Sequence, residues 1–218
     1  MNISVELPIH LLHRRQIATL ATQAREPAGF PYPTAVPYAT DARHRPVVLI
    51  SALAEHTRNL VDDARAGLLV ADAADAAVLE AERMTLVGRC ARVDGDPHLA
   101  ARYVRYHPDA ARYLDLGDFS FWALDCERLR FIGGFGRMGW LDGRQLDALP
   151  PLSFDEEQAA WALYPNKVSE FELAGVDRYG ADWRMAGRVQ RTPFADAATD
   201  FDQLAASLHT AAAGLSLS

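Results

Sequence analysis

The sequence predicts a mainly β fold: a barrel of short antiparallel strands, followed by a small α+β appendage. Three observations carry this expectation. Between residues 17 and 141, apolar runs of strand length recur at short spacing with only brief helical stretches between them, which suits a barrel better than a doubly wound sheet. Half of the residues are hydrophobic and 23% are charged, so a 218-residue chain can bury a real core. At Asp142–Ser153 the sequence turns polar and rich in proline and glycine (DGRQLDALPPLS), which places a boundary between a domain at 1–145 and a smaller one at 153–218.

The elements follow in order. Leu7, Leu11 and Leu12 share a helical face, predicting a helix over Glu6–Arg15 with Pro8 in its first turn. Ile17–Thr22 alternates and is β-branched, and the turn-prone Glu26–Gly29 after it predicts a hairpin. Tyr32–Thr40 continues as an edge or bulged strand, because Pro33 and Pro37 cannot donate to a ladder. Pro46–Ser51 is a continuous apolar run, expected to be buried on both faces.

The period then changes. Leu53, Leu60 and Val61 fit one helical face, and Ala66–Ala71 reads as another buried strand. Glu82–Val93 is a strand in which Gly88 marks a bulge or a close approach, and Pro97–Tyr106 is a helix opened by proline and ended at His107-Pro108. Asp118–Gly133 is a strand running into the turn Gly133–Gly136, and a further strand carries Trp140 and Leu141. In the appendage Phe154–Leu163 is helical, Val168–Ala174 and Trp183–Gln190 are strands around a turn at Tyr179-Gly180, and Asp200–Ala213 is helical.

Twenty-two basic against 29 acidic residues leave a net charge of −7 with the arginines scattered, which argues against nucleic-acid binding. No apolar run approaches a membrane span and no signal-peptide pattern opens the chain, so a cytoplasmic protein is expected. Cys90 and Cys126 form no CxxC pair and are read as packing residues; Phe119, Phe121, Trp122 and Phe131 are read as core. His10 and His13 share a helix face without a third ligand, so no metal site is expected and both are read as surface positions. Asp62, Asp63, Asp72 and Asp75 are read as solvated charges.

The informative segment is residues 29–70, where two strands lead into a helix start bearing His56, Thr57 and Arg58. Free backbone N–H groups, the positive end of the helix dipole, a hydroxyl and a forked guanidinium together suit a phosphate. By residue type alone, Thr57 could equally cap the helix and Arg58 be a solvated charge. For the turn at Gly133–Gly136, Arg137 could meet a carboxylate or phosphate, or the turn could be a tight corner with Trp140 as core.

VPYAT, LISALAEHTRNL, DDARAGLLV and FIGGFGRMGWL occur in this order, and the chain resembles the pyridoxamine-phosphate-oxidase-like FMN-binding split barrels over nearly its whole length. Within them it is most similar to the haem-utilisation, HugZ-like branch. The resemblance implies a six-stranded Greek-key split barrel that forms a homodimer with ligand sites between subunits. It implies an FMN phosphate at Ser51, Thr57 and Arg58 with His56 beside it, backbone of Val36, Pro37 and Tyr38 along the flavin ring, and Arg137 near the partner's site.

An FMN-binding oxidoreductase follows as the main expectation. A haem-binding or haem-degrading protein is the alternative, and a cofactor-free dimeric binding module the second. The branch carries a histidine-bearing helix before its GVDRYG turn. This chain keeps Gly175–Gly180 but has FDEEQAAWALYPNK in place of that helix, leaving His107 and His209 as candidates for an axial imidazole.

Overall fold

A computed structural model describes residues 3–72, 80–94, 96–134, 136–164 and 171–215. Asp75, Phe135 and the stretches 165–167 and 168–170, which enter the expectations above, lie outside the described residues. The chain divides into two compact units, 1–146 and 147–218.

The first unit is built from α1 (Glu6–Arg14), β1 (Ile17–Gln23), β2 (Pro31–Pro37), β3 (Ala39–Thr40), β4 (Pro46–Ser51), α2 (Glu55–Asp62), β5 (Arg65–Ala71), β6 (Arg83–Arg92), α3 (Pro97–Tyr106), α4 (Ala111–Leu114), β7 (Phe119–Ile132) and β8 (Met138–Asp142). One antiparallel sheet runs β2-β1-β5-β6-β7-β4-β3, and β8 pairs with β7. It is the mainly β split barrel that the sequence predicts. Leu20, Leu68, Val70, Met84, Leu86, Leu129 and Phe131 are buried on its inner face, and the alternating burial of β1, β5 and β6 follows from the two-residue period of a strand.

The proline-interrupted stretch divides into β2, at the edge of the sheet, and the two-residue β3. Gly88 sits where the β6–β7 register shifts. A Cβ there would collide with the Asp125 carbonyl, so glycine is the residue that admits this close approach.

Several expectations need correction. Ala66–Ala71 is not buried on both faces: β5 alternates, and Leu69 faces out. Leu53 precedes α2 and is exposed, as is Val61, while Leu60 is buried, so the three share no buried helical face. His13 is buried, with Nε2 3.0 Å from His44 Nδ1 and near the Thr40 hydroxyl. Trp140 is half exposed rather than core, with the guanidinia of Arg128 and Arg130 against its ring at 4.4 and 5.7 Å. Asp62 and Asp63 remain solvated charges, in surface pairs with Arg25 and Arg65, while Asp72 is partly covered and pairs with Arg14.

The second unit holds α5 (Phe154–Leu163), β9 (Phe171–Asp177), β10 (Gly180–Met185), β11 (Arg188–Pro193) and α6 (Phe201–Leu215), with sheet order β11-β10-β9. Trp183–Gln190 is two strands, not one. Ala186 and Gly187 both have positive φ between them, and that hairpin turn carries none of the Asn-Gly or Asp-Gly chemistry that announces one. Trp183, Leu204 and Leu208 anchor a core with Phe171 and Leu173.

Candidate functional site

The antiparallel ladder of β4 and β7 sets Ser51 opposite Phe119 and Leu49 opposite Phe121. Two features meet at this end of the ladder: the start of α2, and a cleft beneath α3 and α4.

Every hydroxyl at the α2 start is engaged locally. Thr57 is buried and its Oγ1 donates to the Ser51 carbonyl at 2.7 Å. Ser51 Oγ donates to Asp118 Oδ2 at 2.5 Å and accepts the Leu53 N–H at 3.0 Å. The helix has no side-chain cap, and Glu55 stands in its first turn. Arg58 is half exposed, 3.7 Å from the Glu55 carboxylate. His56 Nε2 is buried without a partner, and desolvation lowers the pKa of its ring, favouring the neutral imidazole.

The structure thus groups Ser51, Thr57 and Arg58 around one helix start, with His56 beside them. Arg137 belongs to a different setting: it donates to the Gly133 carbonyl at 3.0 Å and pairs with Glu82, tying its own turn. The Val36 side chain is buried, paired across β1 with Ala18. Tyr38 is wholly buried; its hydroxyl donates to the Leu12 carbonyl at 2.8 Å and its backbone N–H to Gln16.

Pro37 opens onto the cleft, of about 480 Å³, whose other walls are Leu49, Tyr103, His107, Asp109, Ala110, Arg112, Tyr113 and Phe119. Tyr113 and Phe119 stack at 4.9 Å, and Tyr103 packs on His107 at 4.9 Å. Tyr103 donates to the Pro37 carbonyl and His107 Nε2 to the Tyr38 carbonyl at 2.7 Å. Burial pushes the Tyr103 phenol well above its ordinary range, so it stays a neutral donor. Arg112 lies over the Tyr113 ring and bonds its hydroxyl. Its guanidinium is the cleft's cation.

Apart from Pro37 and His107, none of these cleft residues was singled out from the sequence as a ligand contact, and Phe119 was read as core. The readable signal was the pair of tyrosines, Tyr103 and Tyr113, on either side of the break at His107-Pro108. His209, the other imidazole candidate, is exposed on α6 with Nδ1 on the Ala205 carbonyl at 2.7 Å.

Residues 7–146, well over half of the chain, match the CREG β-barrel family. The chain belongs to the CREG β-barrel family. This CREG-type chain is 34% identical over 118 residues to the chloroplastic heme oxygenase HOZ of Arabidopsis thaliana, a stretch that is 53% of this chain and 36% of the plant protein. It therefore spans little more than a third of that relative. A heme binding protein from Mycobacterium smegmatis matches over 100% of both chains, with 29% identity and a TM-score of 0.60. Protein Atu2129 from Agrobacterium tumefaciens, of unknown function, has the same fold at a TM-score of 0.75 and 24% identity, over 95% of this chain and 94% of its own.

Proposed function

We propose that this protein binds haem, in the cleft formed by β4, β7 and the α3–α4 segment. The observation that carries the reading is the match over the whole of both chains to the mycobacterial heme binding protein, with support from the plant heme oxygenase over half of this chain. The cleft suits the ligand. Its volume falls in the range of small-molecule sites, its walls are mostly apolar and aromatic, and Arg112 can meet a propionate. When bound, haem supplies iron-centred redox chemistry.

The chain's own groups orient and enclose. The bond from His107 Nε2 to the Tyr38 carbonyl fixes the plane of a ring that lines the cleft, and His107 would be the side chain that holds the group there. The stacked Tyr113–Phe119 pair forms one wall and Leu49 another. Haem is preferred to FMN because the α2 start sets a carboxylate, Asp118, against Ser51.

Haem titrated into the full chain is expected to give a saturable Soret band at one haem per chain. His107→Ala should shift that band, and Arg112→Ala should weaken uptake without moving it. Absence of saturable uptake by the unaltered protein would overturn the proposal.

We further infer a homodimer. The outer face of the sheet leaves Ile17, Leu69, Val87, Met138 and Trp140 exposed, where a solvated barrel face would be polar. Two unpaired thiols, Cys90 and Cys126, suit a reducing cytoplasm, and among the described residues no helix is long and apolar enough to cross a membrane.

A further inference from the structure

We infer that Asp118 is a specificity-determining residue that turns phosphate-bearing ligands away from the α2 start. By residue type this helix start is an anion site: an uncapped N-terminus, two hydroxyls and a guanidinium within eight positions. In the fold the Ser51 hydroxyl beside it is already bonded to the chain's own anion, Asp118.

Asp118 has little freedom to leave. The ladder partner of Ser51 is Phe119, and Ala52 donates its N–H to the Asp118 carbonyl at 2.8 Å, so the backbone delivers this side chain to the Ser51 hydroxyl. A serine hydroxyl has one proton to give. Ser51 gives it to Asp118 and uses an acceptor site on the Leu53 N–H. Thr57 gives its own to the Ser51 carbonyl. An incoming phosphate would find both hydroxyl protons taken and would have to displace a carboxylate from the first.

The local charge points the same way. Asp118 and Glu55 are anionic and Arg58 is the single cation of the group, already near Glu55. His56 adds no positive charge, because burial of its ring favours the neutral form. A phosphate dianion would enter a group of net negative charge, and like charges at contact range disfavour binding.

The α2 start therefore disfavours the 5′-phosphate of a flavin even where the ring could be tolerated. The inference does not depend on haem uptake by the neighbouring cleft.

The test compares FMN with riboflavin, which share the ring and differ in the phosphate, by fluorescence titration of the full chain. The unaltered protein should bind FMN no more tightly than riboflavin. Asp118→Asn, of the same shape, should improve FMN binding at least about tenfold and leave riboflavin unchanged, with Asp118→Ala as a second variant. Haem uptake and thermal melting of each variant check folding and keep this outcome separate from the haem assignment. A wild-type protein that prefers FMN tenfold or more, or folded variants whose FMN binding does not improve, would overturn the inference.

Discussion

Asn59 illustrates, at the scale of one residue, how the fold tolerates a polar side chain in the barrel core. It is wholly buried; its Nδ2 donates to the Thr22 hydroxyl at 2.9 Å and its Oδ1 accepts the Arg25 N–H at 3.2 Å. These bonds fasten α2 to β1 and to the residues that follow it. Asn59→Ala leaves the buried Thr22 hydroxyl without this partner, so a loss of about 1–3 kcal/mol is expected, read as a lower urea midpoint at unchanged slope. A midpoint within error of wild type would show that the bonds add nothing. The cysteines have the opposite character: burial pushes Cys90 up to about 12 and Cys126 to about 11, so neither is a nucleophile near neutral pH.

Among the elements, α5 shows local sequence and structure in agreement. Ser153 accepts the Glu156 N–H, and the Glu156 carboxylate accepts the Ser153 N–H at 2.8 Å, a reciprocal cap. The Ser153 N–H, together with the Arg178 guanidinium, holds the Glu156 carboxyl below its ordinary value. A carboxyl depressed in the folded state adds stability above its unfolded pKa and loses it as pH falls through the folded one. Ser153→Ala should cost about 1 kcal/mol at pH 7. The pH-dependent variant is Glu156→Gln, which takes the carboxylate off the Ser153 N–H that alanine at 153 would keep. Because Glu156 is partly exposed, only the sign is predicted: this variant's deficit should shrink as pH is lowered through the acidic range. Equal deficits at pH 7 and at pH 3 would refute the reciprocal cap.

Across the whole molecule, charge and apolar surface are unevenly spread. Residues 1–146 carry 17 basic against 18 acidic side chains, and the remaining 72 carry 5 against 11. On the outer sheet face Leu69 and Val87 lie on adjacent strands, and Val87 pairs across the ladder with Arg128, which with Arg130 flanks the Trp140 ring. Tryptophan and arginine are the residue types that dominate interface energetics. Light scattering after size exclusion is expected to give twice the 24.0 kDa chain mass. Val87→Glu, which buries a charge in any such interface, should return the monomer with its strand content intact. A monomeric wild-type protein at micromolar concentration would overturn the pairing.

The sequence by itself determined much of the secondary structure: α1, β1, β4, β6, α3, β7, β8, α5 and α6 follow from apolar period, proline position and turn chemistry, which act over a few neighbours. It also placed His56, Thr57 and Arg58 together at one helix start, because they are neighbours in the chain, and the resemblance to the split barrels added Ser51. Only the tertiary structure decided what that group does. Asp118 lies 67 positions from Ser51 and meets it through the β4–β7 ladder, and the cleft assembles Pro37, Leu49, Tyr103 and Phe119 from four separate elements. The same limit explains β5, His13 and Trp140. Local period says that a face is apolar, but what covers it depends on strands and helices far away in the chain, and pairing at such range leaves no mark on the spacing of neighbouring residues.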